Sequence, residues 1–425
     1  LKSPLSLSSF GGKVSSTGWA KFAYLFGEYY RTSDFWLPPR LRMREWMFIP
    51  FGGGTPLRHR AFDDASRLRQ FLLRSPPHSA FYSTAYWRKP REYKMVEKEW
   101  KGADLIFDLD GDHLPGISDV DFEGMLIAIR EQAHRLWNDF LEPEFGFDKK
   151  FLQVTFSGHR GYHLHYRDPT IVHLDSEARR ELVAHIRGEG IDVGVALEEW
   201  QNPDASGWTK RLREGLNQTL QRLDTVREGE RKQAKPVIDE MIESMRRSAI
   251  LSGKSIKRGP TVVEKIAELI EHPERRRRLL NGNWNALGGK QRGDPNFYRN
   301  ALIDIVRSDR GIVLGGAGET DEVVTVDTRR VIRWPTSLHG KCGLRVSEFP
   351  LDRLDPDGSN PFDPLTEAIA LPMSKSIKVE TTIEHASTRV GEYSIDTNCG
   401  DMLELPEGVA AFLVLKGWAK LAPSA

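Results

Sequence analysis

Hydrophobic positions recur along this chain with two different periods, and the change from one to the other divides it into regions. Residues 62–73 have the apolar spacing of a short helix, and residues 80–87 are rich in the aromatic and β-branched types that favour strands. Apolar residues 105–109 predict a strand that runs into an acidic, glycine-containing turn, and residues 120–140 read as a long amphipathic helix beginning after Ser118. Residues 151–156 and 162–166 are two strands around the tight Ser157-Gly158-His159-Arg160-Gly161 connection, a hairpin with a basic tip. From 175 to 281 strand signals thin out and charged helix formers dominate, and the strand pattern returns at 322–326 and 331–334. The Asp- and Pro-rich stretch 352–364 reads as a loop. The pattern predicts an α+β protein with mixed or antiparallel sheets. Its body comprises residues 1–174 and 282–425, interrupted by a helical insertion at 175–281, and no internal repeat is visible.

Composition narrows the classes. At 425 residues the chain is long enough for two or three packed units, and 39% hydrophobic with 28% charged residues is a globular composition. No apolar run approaches the roughly 20 residues that cross a bilayer, and residues 1–10 lack the apolar centre of a signal peptide, so the expected location is cytoplasmic, without a membrane partner. Two cysteines, Cys342 and Cys399, stand far apart and exclude both a disulfide framework and a cysteine-rich zinc site. The net charge of +1 hides basic clusters at 40–60, 254–258 and 275–278, and local clusters hold phosphates even when the total is balanced. Residues 275–278 also fit a solvated helix face.

Three constellations carry candidate chemistry. Strand side chains alternate faces, so Asp108 and Asp110 point the same way. Two carboxylates side by side repel unless a cation sits between them, and hard oxygen ligands suit Mg²⁺ or Mn²⁺; an acidic turn is the plainer reading of the same residues. In the second constellation two glycines free the backbone to approach a ligand, while Ser157, Arg160 and His163 offer a hydroxyl, a guanidinium fork and an imidazole. That set suits a polyphosphate, although His163 and His165 share a strand face and are also spaced to bind a transition metal. The third runs from Asp321 and Asp327 to a basic, glycine-bearing turn with Arg333, His339 and Lys341. A metal-bound triphosphate needs both signs of charge together, and these segments supply them.

In this order, Phe107-Asp108-Leu109-Asp110, then Ser157-Gly158-His159-Arg160-Gly161-Tyr162-His163, then Asp321 with Arg333-Trp334-Pro335-Thr336-Ser337-Leu338-His339-Gly340-Lys341-Cys342-Gly343-Leu344 resemble the catalytic small subunit of archaeal and eukaryotic DNA primase, in its archaeal form. Arg44-Glu45, the Pro56-Leu57-Arg58-His59-Arg60 segment with Phe62, and Ala410-Ala411-Phe412-Leu413 with Gly417 extend the resemblance over nearly the whole chain. It implies a primase-polymerase fold whose sheets form a catalytic cleft, and synthesis of short primers on single-stranded DNA from nucleoside triphosphates with two Mg²⁺ or Mn²⁺ ions. Asp108, Asp110 and Asp321 would be the metal-binding carboxylates, with Asp327 as an alternative third. Ser157, Arg160, His163, Arg333 and His339 would hold phosphates, and Arg58 would lie near the nucleotide or template. The partner would be an iron-sulfur-containing large subunit.

Two departures stand out against that family. Residues 168–194 contain no cysteine, only His173 and His185, so no structural zinc is expected. His159 replaces an arginine often found beside Arg160, which implies a weaker or pH-dependent phosphate contact. A haloacid-dehalogenase-like phosphatase also begins with Asp-x-Asp-Gly, but Asp112 stands where that family has threonine, and it leaves the other two constellations unexplained. A nucleic-acid-binding subunit without chemistry predicts loss of a carboxylate, and all three are present. A primase-polymerase of repair or replicon maintenance shares the same site residues and is separated by its lack of a large subunit.

Overall fold

The computed structural model describes residues 16–111, 121–189, 207–229, 231–251, 259–288, 294, 296–308 and 322–422. They fall into two compact units, one within residues 1–134, 149–183 and 319–425 and the other within 135–148 and 184–318. The architecture is α+β with antiparallel sheets.

Two four-stranded sheets organise the first unit. One has the order β2-β1-β3-β9, from β1 (Trp46–Pro50), β2 (Leu57–Arg60), β3 (Pro77–Ser83) and β9 (Val331–Arg333). The other has the order β10-β7-β8-β6, from β6 (Leu105–Asp110), β7 (Leu152–Phe156), β8 (Gly161–Tyr166) and β10 (Ser347–Phe349). Short ladders join β4 (Ala85–Trp87) to β5 (Trp100–Ala103) and β12 (His385–Val390) to β13 (Tyr393–Asn398), and β11 (Ser376–Thr381) is flanked by β14 (Met402–Pro406) and β15 (Ala419–Leu421). Helix α1 (Ser16–Thr32) packs on α2 (Ala65–Arg74), whose first turn is capped where Asp64 accepts from the Arg67 N–H at 2.8 Å. In β6 Leu105, Phe107 and Leu109 are buried, while Asp108 and Asp110 remain partly exposed at the strand's end.

A buried ionic cluster sits where these strands begin and end. Arg44, just before β1, and Asp104, just before β6, have fully buried side chains 2.9 Å apart. Asp104 also receives Arg167, just after β8, at 3.0 Å, and the hydroxyl of Tyr86 on β4. Arg44 donates through Nη1 to the carbonyls of Ser83 and Thr84, at 2.8 and 2.6 Å, and through Nε to that of Pro39 at 3.1 Å, and lies 3.9 Å over the Tyr86 ring. Burial works to raise the Asp104 pKa, but Arg44 and Arg167 outweigh it and the net shift is downward.

Four expectations are corrected or refined by the fold. Residues 322–326, expected as a strand, form a short helix (Glu322–Val326) that packs against β6. Its Val-Val-Thr run favours strands, but burying Val324 and Thr325 on a sheet face overrides that propensity, and Asp327 N–H closes a helical bond to Val323 at 3.0 Å. The single strand expected at 80–87 is broken at Thr84, whose N–H donates to the Arg330 carbonyl and whose carbonyl accepts from Asp104. The helix expected from Ser118 is described from Phe122 to Leu136, with Asp121 accepting from the Gly124 N–H at 2.9 Å, and its continuation Trp137–Leu141 widens to π-helical spacing. Residue 118 lies outside the described residues, as do 112 and 254–258.

The second unit is helical: Gly207–Glu228, Arg231–Leu251, Pro260–Ile270, Pro273–Leu280 and Phe297–Ser308 enclose a core of Leu216, Leu220, Met241, Ile266, Leu302 and Val306, among others. Its span differs from the expected 175–281. Residues 135–148 belong to it because Asp139 is buried against Lys210 and Arg211, at 2.9 and 3.2 Å. The start at 175 is too early, since Arg179 donates to the Ala103 and Asp104 carbonyls within the first unit. The basic run 275–278 is a paired helix face, with Arg276 on Asp224 and Arg277 and Arg278 on Glu274.

Replacing Asp104 by Ala strands two buried guanidinium groups. Urea denaturation should report a loss of about 3–5 kcal/mol, whereas Glu97→Ala, which breaks an exposed pair with Lys94, should cost no more than about 0.5 kcal/mol. Equal effects would show that the cluster does not hold the fold.

Candidate active site

The ladder between β6 and β8 sets Asp108 directly opposite His163 and Asp110 opposite Gly161. That register brings His163 Nε2 within 3.2 Å of Asp108 and Arg160 Nε within 3.3 Å of Asp110. At the hairpin tip Ser157 accepts the Gly161 N–H at 3.0 Å, and Gly158 adopts φ 86°, a conformation that glycine takes without strain. Its missing side chain also matters, because a Cβ there would come within 2.9 Å of the His339 Cβ.

The turn after β9 closes over this tip. The Cys342 thiol donates to the Gly158 carbonyl at 2.9 Å, and the rings of His159 and His339 stack with centroids 4.9 Å apart. Burial pushes the thiol pKa up to about 11, so it stays protonated as a donor. Beneath the turn, a Cβ on Gly340 would strike the His78 ring at 2.2 Å, so only glycine lets the turn settle on that imidazole. Asp108, Asp110, Ser157, Arg160, His163, Arg333 and His339 thus line one cleft of about 190 Å³, together with Phe81, His159, Arg330 and Lys341.

Electrostatics here are strongly cationic around two carboxylates. Burial holds the His339 pKa well below its ordinary value, reinforced by Arg333 and neighbouring histidines. The Lys341 N–H donates to His339 Nδ1 at 3.1 Å, so the neutral ring carries its proton on Nε2 as a donor. His159 is likewise held well below its ordinary pKa by burial and by Lys416 and Arg160, which makes it neutral at physiological pH and removes the expected titration near neutrality. Arg333 is lowered by burial to about 10 and its Nη1 is buried without a hydrogen-bond partner.

Other expected residues lie elsewhere. Arg58 sits on the edge strand β2, three strands along from β9, and pairs with buried Glu45 at 3.3 Å. Asp327 accepts from the Arg329 N–H at 2.9 Å and is not among the cleft-lining residues. Asp321 lies outside the described residues. His165 does not join His163 as a ligand pair, because its Nε2 meets Thr155 Oγ1 at 3.2 Å and its Nδ1 faces the Tyr82 hydroxyl at 3.5 Å. Among the described residues, no group of three His, Cys, Asp or Glu is placed to hold a metal. Phe81, Arg330, His78 and Cys342 carried no functional signal in the sequence, since each acts through a contact with a segment distant along the chain.

The family model for the DNA primase small subunit matches residues 107–350. The DNA primase small subunit PriS of Methanothrix thermoacetophila is 33% identical over 424 residues, covering 93% of this chain and 97% of its own length. Those of Methanocella arvoryzae and Halorubrum lacusprofundi are each 33% identical, covering 94% of this chain and 97% and 96% of their own lengths.

The imidazole under Gly340 sets a pH dependence. Burial lowers the His78 pKa to about 4 from an ordinary 6.5, so the unfolded chain takes up a proton that the native one refuses. This contribution is complete above pH 6.5 and is lost as pH falls towards 4. Urea denaturation should show about 2 kcal/mol of it gone by pH 5, and His78→Gln should lose that part of the slope. An unchanged slope in the variant would contradict a buried neutral His78.

Proposed function

The chain belongs to the DNA primase small subunit family, and on that footing we propose that it is the catalytic subunit of a DNA primase, joining nucleoside triphosphates into short primers on single-stranded DNA for replication. The observation that carries the reading is the convergence, on one cleft, of two same-face carboxylates with hydroxyl, imidazole and guanidinium groups from two other segments.

The donor set fits a divalent cation. Asp108 and Asp110 present oxygen ligands of the kind Mg²⁺ and Mn²⁺ prefer, and each is already oriented by a cationic or imidazole partner instead of standing bare. Two such ions, held by Asp108, Asp110 and, as a third carboxylate, Asp321, would neutralise charge on the attacking 3′ oxygen and the departing pyrophosphate. His163 and Arg160 keep the carboxylates in register. Ser157, the protonated Nε2 of neutral His339, and Arg333 are the donors for the triphosphate, and Lys341 and Arg330 add positive charge at its rim. Arg58, outside this cleft, is assigned to the template. A larger, iron-sulfur-containing subunit is the proposed partner, the helical unit that overlaps most of the expected 175–281 an inserted subdomain, and the cytoplasm the proposed site of action.

Primer synthesis on unprimed single-stranded DNA with Mg²⁺ or Mn²⁺ tests the proposal. Asp108→Ala or Asp110→Ala should lower it by about 10³-fold or more while template binding persists, and activity near that of the parent chain would refute the assignment. His339→Ala should chiefly raise the KM for nucleotide, so an unchanged KM would remove His339 from the phosphate site.

A further inference from the structure

We propose that Phe81 is a positioning residue for Arg333, parking the guanidinium on its ring so that it does not collapse onto Asp108 and Asp110. The inference rests on the primase reading of the cleft and adds a residue that reading does not use. Phe81 on β3 and Arg333 on β9 are direct cross-strand partners, so their side chains leave the sheet on the same face. The guanidinium carbon lies 4.8 Å from the centre of the ring, within cation–π range. On its other side Phe81 is the cross-strand partner of Met47, so β3 holds the ring in register between β1 and β9. Both Phe81 and Arg333 line the cleft.

The alternative resting place for Arg333 is obvious from charge. Asp108 and Asp110 are near enough to act on the guanidinium, raising its pKa against the opposite pull of burial, yet among the ion pairs described for these residues Asp108 meets His163 and Asp110 meets Arg160, and none involves Arg333. A long arginine beside two carboxylates forms a forked ion pair unless something competes for it. Such a pair would occupy the metal-ligand oxygens and the phosphate donor at once. The ring offers the guanidinium an uncharged contact that consumes none of its N–H groups, consistent with a buried Nη1 that has no hydrogen-bond partner. Phe81 therefore keeps opposite charges apart until a triphosphate with its cations can use both.

The test compares Phe81→Leu, which keeps apolar bulk but removes the π face, with Phe81→Tyr, which keeps it. Phe81→Leu should raise the nucleotide KM by about tenfold, between the sizes of an exposed and a desolvated cation–π contact, and also raise the Mg²⁺ concentration giving half-maximal primer synthesis. Phe81→Tyr should match the parent chain in both. In an Arg333→Ala background, Phe81→Leu should add nothing further. A Phe81→Leu chain with lower thermal stability but an unchanged Mg²⁺ requirement, or a full additive loss in the double variant, would overturn the proposal. Should the parent chain make no primers, Mn²⁺-dependent binding of a non-hydrolysable nucleoside triphosphate gives the same readout: about tenfold weaker binding in Phe81→Leu supports the role of the ring, and equal binding refutes it.

Discussion

Everything in the cleft hangs from the buried carboxylate of Asp104. A charge removed from water is tolerated only when its partners are complete, and Asp104 draws them from the entry to β1, from β4 and from the exit of β8. Because Arg44 also binds the carbonyls that end β3, one ionic group ties the margins of both four-stranded sheets. Asp108 and Asp110 follow Asp104 along a single strand, so fixing the root of β6 fixes where those carboxylates emerge. A hydrophobic substitute could supply stability, but not a directional lock between strand ends.

From that root the site is closed by contacts of quite different character. A neutral thiol, two stacked neutral imidazoles and Gly158 against His339 clasp the hairpin tip to the turn after β9, and Gly340 seats that turn on His78 of β3. Uncharged groups suit this task, since the surrounding Arg160, Arg333, Lys341 and Lys416 already crowd positive charge around the pair. Charge is thereby left to the lining of the cleft, while packing and weak hydrogen bonds hold the frame. The cation–π contact between Arg333 and Phe81 follows the same economy.

How much of this was legible in the sequence depended on the range of each interaction. Alternation in residues 105–110 and 162–166 placed Asp108, Asp110 and His163 correctly, because strand periodicity is local. The helical section was legible by composition, but its limits were not, since they are drawn by Asp139 meeting Arg211 across a gap in sequence. The helix at Glu322–Val326 misled because β-branched residues speak for strands until a sheet face buries them. Asp104 carried no signal of its own in the sequence, for nothing nearby announces Arg44 or Arg167. Arg58 was assigned by family resemblance and Asp327 by its nearness to Asp321 in sequence, and neither is among the residues that line the cleft.

Under the proposed function, Asp108 and Asp110 present a metal site to a triphosphate held by the hairpin tip and the turn after β9. Anomalous diffraction from crystals grown with Mn²⁺ and a non-hydrolysable nucleoside triphosphate tests it directly. Mn²⁺ peaks are expected at bonding distance from Asp108 and Asp110, with the phosphates against Ser157, Arg333 and His339. Mn²⁺ and phosphates bound together at any other place on the protein would contradict it.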